Sequence, residues 1–145
     1  LCVRPGKPTR AASSFVSSSI REPLQGENAL CPVSPDLRLW LSSPATVVAN
    51  FLLAARLPAT GDWRSVNLPG ISVTVGEMLE ALARAGGQAA RDRVQFAADP
   101  AIERIVASWP GRIDNQRASA LGFAADRTFA DIIDSFITHD MQEAS

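Results

Sequence analysis

Four charged or aromatic side chains stand where recognition chemistry is plausible. Arg4 and Lys7 frame the run Arg4-Pro5-Gly6-Lys7-Pro8. Pro5 and Pro8 lack an N–H and fix φ, whereas Gly6 permits backbone angles other residues resist. A stiff turn carrying two cations is therefore expected after the apolar run Leu1-Cys2-Val3, at the C-terminal end of a strand, where open α/β sheets place ligands. Arg38 and Trp40 are two residues apart. On a strand they share a face, so a cation and a planar ring can grip an anion and a planar group together. The competing readings are a solvated Pro/Gly loop for the first pair and a surface Arg stacked on a surface Trp for the second.

Catalytic machinery is harder to find. The sequence has no G-x-G-x-x-G or G-x-x-x-x-G-K-S/T run, no G-x-S-x-G elbow, no Cys/His cluster for zinc and no tyrosine. Asp131 and Asp134 fall on a helix face where solvation explains them. His139, the single histidine, falls near a helix C-terminus, where the helix dipole accounts for it. The expectation is a segment with no catalytic residue and no metal site of its own.

Composition sets the class. The 145 residues are 46% hydrophobic and 20% charged with a net charge of −1, enough for one folded core and without the basic footprint of a nucleic-acid binder. No apolar run reaches membrane-spanning length, because Asn50 and Arg56 interrupt Val47–Leu57. Cys2 and Cys31 read as buried thiols, which fits a cytoplasmic location. No signal-peptide pattern opens the chain. Because it opens inside a strand, with no Met or polar lead, a piece of a longer polypeptide is expected.

Periodicity then supplies the elements that position these residues. A helix is expected over 11–21, where Phe15, Val16 and Ile20 form a stripe among five serines. Ser13 and Ser14 suit a helix near a ligand; a flexible loop is the alternative. Glu22-Pro23-Leu24-Gln25-Gly26 reads as punctuation. Strands are expected over 30–33 and 37–41. In the second, Leu37, Leu39 and Leu41 alternate with Arg38 and Trp40. Ser43-Pro44 caps a helix over 44–56 whose Val47, Val48, Phe51 and Leu52 read as covered core. Short extended pieces follow at 65–68 and 70–74. Thr74-x-x-Glu77 opens a helix stopped by Gly86-Gly87. An edge strand at 94–97, a helix from Pro100, a short helix over 114–121 closed by Gly122, and a final helix over 128–141 complete the chain.

Several of these stretches, in order, resemble the C-terminal half of an extended short-chain dehydrogenase/reductase of the epimerase/dehydratase superfamily. Val3-Arg4-Pro5 is similar to the strand that follows that family's Tyr-x-x-x-Lys helix. Arg38-Leu39-Trp40-Leu41 with Ser43-Pro44 is similar to its Arg-x-aromatic segment. Asn67-Leu68-Pro69 with Ser72-Val73-Thr74 resembles its late strand and Thr-capped helix. Asp114 to Arg117, then Leu121-Gly122-Phe123, resembles its closing motif, and Phe129 to Ile133 its terminal helix. The Pro-Gly-Lys-Pro run lacks the Asn of the sugar-nucleotide branch and looks more like the branch acting on small sugar acids of the D-erythronate type, as do Ser72 to Glu77 and Ala107 to Pro110.

What the resemblance implies is an α/β fold: the last strands of a Rossmann-like sheet plus a small mixed α/β substrate-binding domain. The whole of 1–145 is then one substrate-binding segment. The NAD-binding Rossmann half, the catalytic Tyr and Lys and a homodimer interface are expected upstream. The cofactor is NAD, with NADP as the alternative. Arg4, Pro5 and Gly6 would line the nicotinamide end. Lys7, Ser13, Ser14, Arg38 and Trp40 would hold the substrate, and Asp114 and Arg117 would pair to fix the closing motif. The expected partner is a sugar acid or a nucleotide sugar, with no nucleic acid and no membrane. The expected activity is oxidation of a sugar-acid hydroxyl. The alternatives are a nucleoside-diphosphate-sugar epimerase and a non-catalytic cofactor-binding relative.

Overall fold

The structure is a computed structural model that describes residues 1–6, 9, 11–58 and 65–141. Lys7 and Pro8, on which half of the opening turn was expected, lie outside the described residues.

Helix α1 spans Ser14–Leu24. It starts later than its stripe predicts and runs on through Pro23. A proline in the last turn removes only one ladder bond, so the helix need not stop there. Phe15, Val16 and Ile20 are buried, and so are Ser17, Ser19 and Arg21, so the helix is covered well beyond its apolar stripe. The serines have a structural use. Ser17 Oγ donates to the Cys2 carbonyl at 3.0 Å and accepts the Arg4 N–H at 3.2 Å, which lets the opening segment lie against the helix.

Two short sheets follow, each two-stranded among the described residues. Strand β1 (Ala29–Cys31) pairs in parallel with β4 (Val94–Phe96), and β2 (Arg38–Leu41) pairs antiparallel with β3 (Ile71–Thr74). The opening run Leu1-Cys2-Val3 is not a strand. It does make one parallel link to β2: the Leu1 nitrogen donates to the Trp40 carbonyl at 3.1 Å and Ser42 N–H donates to the Leu1 carbonyl at 2.9 Å. The piece at 65–68 forms no ladder either and is an extended loop.

Helix α2 is Pro44–Ala54, with Ser43 Oγ accepting the Thr46 N–H at 3.1 Å as its cap. Helix α3 is Val75–Asp92, opened by the Thr74/Glu77 capping box. It breaks at Gly87, whose φ of 80° is outside helical geometry. The Gly-Gly stop is thus real, but a further helical turn follows it. Helix α4 is Pro100–Ala107, α5 is Gln116–Ala120 and α6 is Phe129–Ser135, which continues as a π-helical turn over Phe136–Asp140 rather than as α-helix to residue 141.

One core joins these pieces. Val16 and Ile20 of α1, Leu39 and Leu41 of β2, Met78, Leu79 and Leu82 of α3, and Ile132, Ile133 and Phe136 near the C-terminus belong to a single buried cluster. Helix α2 is the exception. Its apolar stripe is not core: Asn50 is its one buried residue, while Val48, Phe51 and Leu52 are exposed. Periodicity shows which residues seek cover, not that the rest of the chain supplies it.

Candidate substrate cleft

The alternation along β2 holds. Leu39 and Leu41 are buried, Arg38 is exposed and Trp40 half-buried on the other face. The antiparallel register sets Trp40 opposite Ser72 and Arg38 opposite Thr74. The Arg38 guanidinium donates to the Ser72 carbonyl at 3.2 Å and lies 3.8 Å from the Glu77 carboxylate. Hydrogen bonds from Thr74 hold Glu77 below the usual carboxylate range, with the Arg38 charge adding to them. This long, half-exposed ion pair restrains Arg38 weakly.

A second loop closes over that face. Ser72 Oγ donates to the Gly111 carbonyl at 2.7 Å. A Cβ at Gly111 would lie 2.8 Å from the Arg38 carbonyl, and one at Gly70 would lie 2.6 Å from the Leu41 carbonyl. Both positions require glycine because backbone presses on backbone there. Between the loops lies a cleft of about 1270 Å³ whose walls include Arg38, Trp40, Ser72, Arg112, Asp114 and Asn115.

The electrostatics suit an anion. Arg112 is exposed and makes no hydrogen bond or ion pair among the described residues, so a second guanidinium, itself uncommitted, shares the cleft with Arg38. Asp114 faces the same space, but its carboxylate accepts the Gln116 N–H at 2.8 Å. Asn115 donates to the Gly70 carbonyl at 3.4 Å, while its side-chain oxygen is buried without a partner. Two forked donors beside an indole match a carboxylate or phosphate attached to a compact organic body. No group of three His, Cys, Asp or Glu able to hold a metal occurs among the described residues. The arrangement can bind and orient a ligand.

The other expected site residues lie apart from this cleft. Arg4, Pro5 and Gly6 form an exposed turn. The Arg4 carbonyl accepts from the Arg21 guanidinium at 2.9 Å, and Gly6 has a φ of 100° that favours glycine. Ser13 is half-buried at the start of α1, and Ser14 Oγ donates to the Thr9 carbonyl at 2.7 Å. Ser14 lines a separate concavity of about 290 Å³ with Phe15, Ser18 and Leu30. Arg117 donates to the Ser65 carbonyl at 2.6 Å, anchoring the loop before β3. The structure thus brings Arg38 and Trp40 into one cleft and leaves Ser14 outside it.

Sequence reasoning missed Arg112, Asn50 and Asp126. Arg112 follows the Pro110-Gly111 helix stop, a cue for a tight turn that says nothing about the cation's surroundings. Asp126 accepts from Ser42, from the backbone and hydroxyl of Ser43, and from the Thr46 hydroxyl. Burial alone would push its carboxyl up, and those donors more than offset it, leaving it below its ordinary range. Asn50 exchanges two hydrogen bonds with the backbone of Ala124, at 2.8 and 3.0 Å. Together they lock α2 to the closing segment.

No protein-family model matches the chain. Among curated proteins, it is 57% identical over 143 residues to D-erythronate dehydrogenase of Haemophilus influenzae, covering 97% of this chain and 45% of that protein. It is 47% identical over 139 residues to the enzyme of the same name from Cupriavidus necator, covering 94% of this chain and 43% of the relative. Among solved structures, one described as a nucleoside-diphosphate-sugar epimerase from Agrobacterium tumefaciens superposes with a TM-score of 0.94 at 36% identity, over 98% of this chain and 42% of the other.

The chain matches the C-terminal part of an extended short-chain dehydrogenase/reductase.

It spans less than half the length of the curated relatives it matches. A threonine dehydrogenase from Cupriavidus necator, at 18% identity and a TM-score of 0.79, shares the fold of this C-terminal part. The mixed α/β class expected from the dehydrogenase/reductase resemblance is therefore the observed one. No described helix is long and apolar enough to cross a membrane.

Proposed function

We propose that this chain is the substrate-binding part of an NAD-dependent oxidoreductase that oxidises a hydroxyl of a small sugar acid of the D-erythronate type. The observation that carries the reading is the 57% identity, along 97% of the chain, to a protein named D-erythronate dehydrogenase. The cleft supports it in chemical terms. Arg38 and Arg112 present two forks for a carboxylate, and Trp40 offers an apolar wall against the carbon chain. Arg4, Pro5 and Gly6 would line the cofactor side, and Lys7 would serve the substrate. An exposed turn with an open Gly6 fits the edge of a dinucleotide, and the main cofactor site and the Tyr/Lys pair belong to the longer polypeptide.

When bound, NAD would supply hydride acceptance, and Arg38 and Arg112 would hold the substrate's carboxylate end. Ser13 and Ser14 would contribute to the substrate site from the start of α1. NADP remains the alternative cofactor. We place the protein in the cytoplasm, acting on a small molecule rather than on nucleic acid or a membrane, as a homodimer formed through the upstream half.

A second reading is nucleoside-diphosphate-sugar epimerisation, favoured by the likeness to the Agrobacterium tumefaciens structure described as such an epimerase and by two arginines that would also suit a diphosphate. The deciding experiment uses the full-length protein with NAD, following NADH formation with D-erythronate and related four-carbon acids. Saturable NADH formation with a sugar acid supports the first reading. Interconversion of a nucleotide sugar without net NADH, and silence with every acid, replaces it with the second.

A further inference from the structure

Helix α1 buries a charge. Arg21 is 5% exposed, and its guanidinium pairs with the carboxylate of Glu22, the next residue. Neighbouring helix positions point apart, so this is not the usual stabilising pair of a helix surface. A buried ion pair loses much of its attraction to desolvation, and the second Glu22 carboxylate oxygen is buried without a partner. What the pair does is hold backbone. The Arg21 guanidinium donates to the Arg4 carbonyl at 2.9 Å. Ser17, one turn earlier, accepts the Arg4 N–H and donates to the Cys2 carbonyl. Two side chains four residues apart thus take three backbone groups of one short segment, while Val3 within it is sunk in the core.

Beyond that clamp the turn has little support. Pro5 fixes its own φ, Gly6 has a φ of 100°, and a Cβ at Gly6 would meet nothing within 4 Å among the described residues. Once the Arg4 carbonyl is fixed, the direction of the turn follows from it. We propose that Arg21 is a positioning residue: through the Arg4 carbonyl it sets the Arg4-Pro5-Gly6 turn where the nicotinamide end of the dinucleotide needs it. The inference rests on the reading above, in which that turn lines the cofactor, and adds the residue that aims it. The planar guanidinium suits the task because its fork engages the carbonyl and the Glu22 carboxylate with different nitrogens, which a lysine ammonium does not reproduce. Ser17 is the neutral half of the same clamp.

The test titrates NADH and NADPH against the full-length protein by fluorescence, which reads cofactor binding without turnover. Arg21→Lys keeps a cation beside Glu22 but loses the fork, and is expected to weaken binding of the preferred dinucleotide at least about tenfold. Ser17→Ala is expected to act in the same direction, and it decides the matter if Arg21→Lys does not fold. Asp126→Asn, which loosens the fold at the start of α2, is the control and should leave dinucleotide affinity unchanged. In an active enzyme the loss should appear in KM for NAD, with KM for the sugar acid unmoved at saturating NAD. Unaltered affinity in folded Arg21→Lys, or an equal loss in Asp126→Asn, would overturn the inference. A native protein that binds neither dinucleotide overturns it together with the cofactor side of the reading. One that binds a dinucleotide yet oxidises no sugar acid removes the substrate alone, and the titration of the variants still decides the role of Arg21.

Discussion

The Asp126 carboxylate accepts two hydrogen bonds of 2.7 Å from Ser43, its partner 83 residues earlier in the sequence. One comes from the backbone N–H and one from the hydroxyl, and the same hydroxyl oxygen accepts the Thr46 N–H that caps α2. A single acidic side chain therefore holds a helix start, a strand end and the closing segment together.

Replacing it should cost stability with a defined pH signature. Asp126→Asn keeps the shape but loses charge-assisted acceptance, at about 1.5–3 kcal/mol. The folded carboxyl titrates below its unfolded value of about 3.9. Its contribution is present above that unfolded value and disappears as pH falls through the lower, folded value. Urea unfolding across an acid pH series should show the gap between the native protein and the variant closing only in that acid window. A gap of constant size would mean that the carboxylate's charge does not carry the bond.

Arg112 should act on binding rather than on chemistry. In the full-length enzyme, Arg112→Ala is expected to raise KM for a sugar acid about tenfold, ~1.4 kcal/mol, with kcat within about twofold. Arg38→Ala should act in the same direction, and so should Lys7→Ala if Lys7 reaches the carboxylate. Steady-state kinetics with each single variant checks this. Equal losses in kcat and in kcat/KM, with KM unmoved, would shift Arg112 out of the substrate's carboxylate end.

Gly111 tests the closeness of the two loops. A methyl group there meets the Arg38 carbonyl at 2.8 Å, and backbone cannot rotate away as a side chain can. Gly111→Ala should lower stability by about 1–3 kcal/mol and weaken substrate binding by displacing Arg112. Chemical denaturation supplies the first number. An unaltered midpoint would show that the loop stands farther from β2 than 2.8 Å.

The two thiols should differ in reactivity. Burial pushes the Cys31 thiol above its ordinary pKa, and its sulfur lies 3.7 Å from the Val33 carbonyl; Cys2 is only partly buried. Alkylation of the native protein at mildly alkaline pH should modify Cys2 at least about an order of magnitude faster than Cys31. Peptide mapping of a time course settles the order, and faster labelling of Cys31 would contradict its place in the core.

Local chemistry was legible where it acted over short range. The Ser43-Pro44 cap, the Thr74/Glu77 box, the alternation of β2 and the Gly86-Gly87 break all follow from neighbours a few residues apart, and all are present. What stayed hidden was whatever depends on distant partners. Arg38 and Trp40 could be placed on one face by counting, but Arg112 joins them only because Ser72 ties the Gly111 loop across 39 residues. Asn50 inside an apolar helix reads as an interruption until Ala124 arrives to satisfy it. Helix α2 is the instructive failure. Its stripe marks residues that seek burial, yet Val48, Phe51 and Leu52 find no cover among the described residues.

The parallel pairing of β1 with β4 carries a consequence for the life of the chain during synthesis. The Gly26 carbonyl just before β1 meets its guanidinium partner, Arg93, only 67 residues later. At about 5–20 residues per second, a ribosome takes roughly 3–13 s to cover that distance. For that interval β1 lacks its β4 partner, and Leu30, 61% exposed among the described residues, has less cover still. The β1–β4 ladder can close only once Phe96, the partner of Cys31, has emerged.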